Sequence, residues 1–205
     1  MRSDSFVWLR RRRSRADNVA MSDQPRDPAP ARSSLLLLPL LVGAVLAVAL
    51  GVFGRLHHPT GSVAWQGPFP SVYAMKVWLA LVVLILAAGQ LVTALWMYGK
   101  LGLGRPQWLG TLHRTTGWAA FLVSLPVAAA CLWALGFQSN NTRVLAHGLL
   151  GCAFYGAFAA KVIVVQSKRL PGWALPAAGG LLLTTVVGAG LTSTIWYLAT
   201  IGTPT

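Results

Sequence analysis

The reading of this chain turns on the stretch Val144-Leu-Ala-His147-Gly-Leu-Leu-Gly151-Cys-Ala-Phe-Tyr155-Gly-Ala-Phe-Ala-Ala-Lys161-Val-Ile-Val-Val-Gln166. It is apolar over about 22 residues, the length of a helix that crosses the hydrocarbon of a bilayer. Lipid offers no hydrogen bonds to a bare backbone, so such a segment must be helical. A histidine inside it is costly and needs a partner. Gly151 falls four residues after His147, on the same face and one turn away. A glycine there opens a flat space beside the imidazole, and Tyr155 continues the stripe.

An earlier segment repeats the arrangement as His113-Arg-Thr-Thr-Gly117-Trp-Ala-Ala-Phe121. Both run histidine, three residues, glycine, three residues, aromatic. A histidine over a glycine gap is what a haem plane packed against a membrane helix requires. Tyr155 and Phe121 read as packing residues.

Composition extends the membrane reading to the whole chain. Of 205 residues, 55% are hydrophobic and only 10% charged, against about 25% charged in soluble domains. The expected fold class is all-α, an integral membrane bundle of five transmembrane helices over 34–202. The spans are expected at 35–54, 73–98, 112–137, 144–166 and 173–201. Residues 1–33 read as a disordered, basic cytoplasmic tail. Its arginines, Arg10 to Arg13 and Arg15, suit an anchor on anionic lipid. Nucleic acid is not the expected partner. No apolar region directly follows them, so the tail is not a secretory signal. Met21 is a second candidate start, which would leave residues 1–20 untranslated.

All four acidic residues, Asp4, Asp17, Asp23 and Asp27, precede the first span, and there is no glutamate. Paired-carboxylate hydrolysis and oxygen-ligand calcium or magnesium sites therefore lack their residues. Two cysteines, Cys131 and Cys152, make neither a zinc site nor a disulfide framework; they read as small buried residues in the same half of the membrane. Basic residues set the orientation. Lys100, Arg105, Arg114, Lys168 and Arg169 join the basic tail on one side, and Arg55, Lys76 and Arg143 lie on the other. This bias predicts a multi-pass protein of the plasma membrane with a cytoplasmic amino terminus.

Topology limits which histidines can meet. His57 and His58 end the first span, and His147 begins the fourth, all on the outer side. His113 begins the third span on the inner side, roughly 25–30 Å deeper at 1.5 Å per residue. An outer haem b is expected between His147 and either His58 or His57, beside Gly151, with Arg55, Arg143 and Lys76 available for its propionates. An inner site would use His113 beside Gly117, with Arg114, Lys100 and Lys161 as cations and Met97 as a candidate sixth ligand.

The histidine-and-glycine pattern of residues 113–117 and 147–151 resembles small transmembrane di-haem b-type cytochromes and ferric-reductase-like membrane domains. That resemblance implies two haems held by four histidines in depth-matched pairs; here the division is three and one. Ala94-Leu-Trp-Met-Tyr-Gly-Lys100, Leu112-His-Arg-Thr-Thr-Gly117, Leu125-Pro-Val-Ala128 and Gly151-Cys-Ala-Phe-Tyr-Gly156 resemble an uncharacterised family of five-span bacterial membrane proteins. The expected function is a membrane-embedded haem protein carrying electrons within or across the membrane, to a quinone or a partner redox protein. If enzymatic, it would be an oxidoreductase. The alternative is a membrane subunit or scaffold without a cofactor.

Overall fold

The structure, a computed structural model, describes residues 33–167 and 169–204. The expected tail and the alternative start at Met21 lie outside the described residues. Those described form helices and no strand. A 3₁₀ turn, Ser33–Leu36, leads into α1, Leu37–Leu56, followed by α2, Val72–Met97. Helix α3, Leu109–Ala129, continues as a π turn, Ala130–Ala134. Then come α4, Thr142–Gln166, and α5, Ala174–Gly190, which runs on through a second π turn, Leu191–Ile195, to a last α-helical turn, Trp196–Thr200. Five helices are long and apolar enough to cross a membrane. The protein is a five-helix membrane bundle.

Local chemistry sets the helix starts. The Ser71 hydroxyl accepts from the Ala74 amide, and the Asn141 side chain accepts from the Arg143 amide. Each satisfies a donor that the first helical turn leaves free. Helix α3 starts at Leu109, three residues before the expected 112, because the Leu109 amide finds the Pro106 carbonyl and its side chain is fully buried. Pro126 lacks an amide hydrogen, which disturbs the ladder in α3. The helix widens into its π turn one turn later, a feature often found at functional sites.

Helix α4 packs on α1 and α5, and α2 packs on α3 and, less extensively, on α5; the π turn of α3 touches α1. The five helices thus close into a ring. The seam between α1 and α4 is a backbone approach. A Cβ at Gly43 would lie 2.7 Å from the Gly156 carbonyl oxygen, and one at Gly156 would collide with the Gly43 carbonyl. Small residues allow such contact in membranes, where apolar side chains gain little over lipid. Consecutive helices α3 and α4 meet through long side chains instead. Phe121 stacks on Phe158 at 4.1 Å, and the Tyr155 hydroxyl donates to the Ser124 carbonyl at 2.9 Å.

Successive helices alternate in direction. At one end, here the His57 end, the Thr60 and Gly61 amides donate to the Trp133 and Ala134 carbonyls, and the Phe137 amide to Gly54. At the opposite, His113 end, the Trp96 indole donates to the Gly104 carbonyl and packs edge-on against Trp108.

Candidate functional site

Inside the ring, towards the His57 end, lies a cavity of about 140 Å³ to which all five helices contribute. Leu50, Leu84, Val127, Phe137 and Val186 supply apolar wall; Cys131, His147, Gly151 and Cys152 line it too. Gly151 acts as the sequence suggests, since a Cβ built there would meet nothing within 4 Å.

His147 is held in one orientation. Its Nδ1 lies 3.0 Å from the Ala189 carbonyl oxygen. A carbonyl can only accept, so Nδ1 carries a proton, and in the neutral ring Nε2 presents its lone pair. That lone pair faces Cys131 Sγ at 3.8 Å. Both partners come from places where a helix widens. Cys131 lies in the π turn of α3, and Ala189 just precedes the π turn of α5. The Ala189 carbonyl also accepts from Ser193 Oγ at 2.9 Å. Sequence reading missed these partners of His147. The two cysteines were legible as small residues in one half of the membrane, but nothing in their spacing turns one of them towards a histidine.

The other outer candidates are placed differently. His57 stacks on Phe53 at 5.2 Å and tilts against Trp133 at 4.7 Å, with its Nε2 buried and without a hydrogen-bond partner. His58 is exposed. Arg143, expected to face a propionate, is occupied within the fold: Nη1 donates to the Thr192 carbonyl at 2.6 Å, and the guanidinium lies 3.5 Å over Trp196. The cause is position, since the first turn of α4 lies against the end of α5. Arg55 is exposed and reaches the Ser139 hydroxyl at 3.5 Å.

The second motif is closed. The Gln90 side chain fills the space at Gly117, where a Cβ would lie 3.1 Å from Oε1. Gln90 Nε2 donates to the His113 carbonyl at 2.7 Å and to Thr116 Oγ1 at 2.6 Å. His113 Nδ1 pairs with Thr93 Oγ1 at 2.8 Å. Gln90 was visible as a polar residue in mid-span; that it closes the glycine gap was not. Arg114 is exposed at this end, and Met97 closes α2 half-buried. Cys131 and His113 lie 18 residues apart on α3, about 27 Å of rise, so the two motifs are separate sites.

A haem bridging His147 and His57 or His58 would need both imidazoles on one cavity. The cavity is lined by His147 and by neither of the others. At about 140 Å³ it is also below the roughly 300 Å³ at which pockets for drug-sized ligands begin. The residues as arranged do not fit that haem. Gln90 likewise leaves no room for a haem plane over Gly117. Among the described residues, no group of three or more histidine, cysteine or acidic side chains is placed to hold a metal ion.

A family of unknown function, DUF6529, matches residues 36–205. The chain belongs to this family. The resemblance to an uncharacterised five-span membrane family is thereby borne out, whereas the cytochrome resemblance gains no support. No curated protein and no solved structure matches the chain. Membership covers all five helices and brings no assigned activity.

Proposed function

We propose that the protein is a membrane-embedded binding protein that takes a small, largely apolar molecule with one hydroxyl into the cavity, using His147 as its polar anchor. This narrows the cofactor-free alternative to a ligand class. The observation that carries it is the orientation of His147, whose Nε2 lone pair is directed into an apolar space while Nδ1 is tied to Ala189. A thiol is a weak donor, so a ligand hydroxyl can displace Cys131 from Nε2. The size suits one aromatic ring, since an engineered apolar cavity of about 150 Å³ binds benzene.

Phenol and benzene are the matched probes, tested by thermal unfolding of the protein in detergent. Phenol is expected to raise Tm more than benzene, and His147→Phe to remove the difference. Equal responses to the two in the wild-type protein would overturn the proposal.

One observation favours a haem-based electron carrier as a second reading. A backbone-tethered Nδ1 is the usual second contact of a metal-bound histidine. That reading needs the cavity to enlarge. A reduced-minus-oxidised spectrum of protein from haem-sufficient cells distinguishes the two: sharp b-type bands lost in His147→Ala would support the carrier, and a colourless protein would leave the small-ligand site.

A further inference from the structure

We infer that Cys131 and His147 form a nucleophile–base pair that accepts an acyl group from a membrane-soluble ester or thioester onto the Cys131 sulfur. The inference rests on the cavity taking a largely apolar molecule, as proposed above, and adds a reaction to that site.

The geometry is that of an activated nucleophile: thiol beside base, and base oriented by a third group. Cys131 Sγ lies 3.8 Å from His147 Nε2, and the Ala189 carbonyl fixes the imidazole from its other side at 3.0 Å. In the neutral ring the carbonyl holds the proton on Nδ1 and leaves Nε2 facing the thiol. The second cysteine is an internal comparison. Cys152 lines the same cavity and is buried, but among the described residues the histidine hydrogen bond goes to Cys131.

Depth selects the substrate class. Cys131 is three residues from the end of the π turn, and His147 is five residues into α4. Both lie about one turn inside the bundle's end, near the border between hydrocarbon and headgroup, where the ester bonds of lipids sit. An apolar groove between α1 and α4 shares Phe137 and Cys152 with the cavity and offers a place for the acyl chain.

In the step, Sγ bonds to the acyl carbon as its proton passes to His147 Nε2. The bond from carbon to the leaving oxygen or sulfur then breaks, and Nε2 returns the proton to the leaving group. The products are S-acyl Cys131 and a free alcohol or thiol, with His147 neutral again. No oxidant or reductant is needed.

The test uses full-length protein in detergent and p-nitrophenyl octanoate as acyl donor. p-Nitrophenolate release and peptide mapping read the rate and the site, and hydroxylamine identifies the thioester. Octanoylation is expected at Cys131, absent in Cys131→Ser, and at least tenfold slower in His147→Gln. If His147→Gln does not fold, His147→Phe serves instead, with the same tenfold loss expected. Modification of Cys152 as fast as Cys131, no thioester, or a rate unmoved by whichever of the two variants folds would overturn the inference. Phenol stabilisation, measured on the same samples, separates the readings: phenol binding without a thioester removes only the acyl transfer, and a thioester without phenol binding removes only the hydroxyl-ligand reading.

Discussion

Gly151 and Gly117 stand at the same offset from a histidine, and one side chain separates their fates. Gln90 fills the space at Gly117, while the space at Gly151 stays open. Substitution should expose the difference. Gly151→Leu meets no neighbour at its Cβ, so its Tm without ligand should stay near that of wild type while the phenol response disappears. A folded Gly151→Leu protein that still responds to phenol would place the ligand elsewhere. Gln90→Ala strips partners from the His113 carbonyl and from Thr116. Interhelical hydrogen bonds in membranes are worth roughly 0.6 kcal/mol on average, and up to about 1.7. Loss of stability in this range is expected from unfolding in mixed micelles, with no change in phenol binding.

Helix α4 is the element on which the others depend. It carries His147, Gly151 and Tyr155, and its Gly156 admits the α1 backbone. Gly156→Val forces the helices apart, because the new Cβ collides with the Gly43 carbonyl. Overpacking of this kind costs about 1–3 kcal/mol, read as a lower Tm. An equal loss from Gly172→Val, at a glycine outside the helices with nothing near its Cβ, would argue against a specific seam. The two π turns are the other feature at this scale. One supplies Cys131, and Ala189 lies two residues before the other, so the polar contacts of His147 come from an irregular turn and from the edge of a second.

For the molecule as a whole, ligand binding and stability are linked. A ligand that binds only the folded bundle stabilises it by about 2.7 kcal/mol at a hundred times its Kd. A phenol titration of Tm should therefore keep rising with the logarithm of concentration beyond saturation of the site. The excess of lysine and arginine on one set of loops leads us to propose a cytoplasmic amino terminus. An alkaline phosphatase fused after Thr205 would be active in that orientation and silent in the reverse one.

The five spans, their alternation, and the separation of His113 from His147 were legible in the sequence, because each depends only on apolar length and rise per residue. So was the open space at Gly151, which needs no more than a missing side chain on the right face. The pairing of His147 with Cys131, rather than with His57 or His58, was decided by the tertiary structure alone. Depth is a one-dimensional quantity that a sequence carries, whereas the direction of a side chain around the ring depends on helix order and on turns that widen locally. The same holds for Arg143, whose contacts with Thr192 and Trp196 follow from α5 lying beside α4.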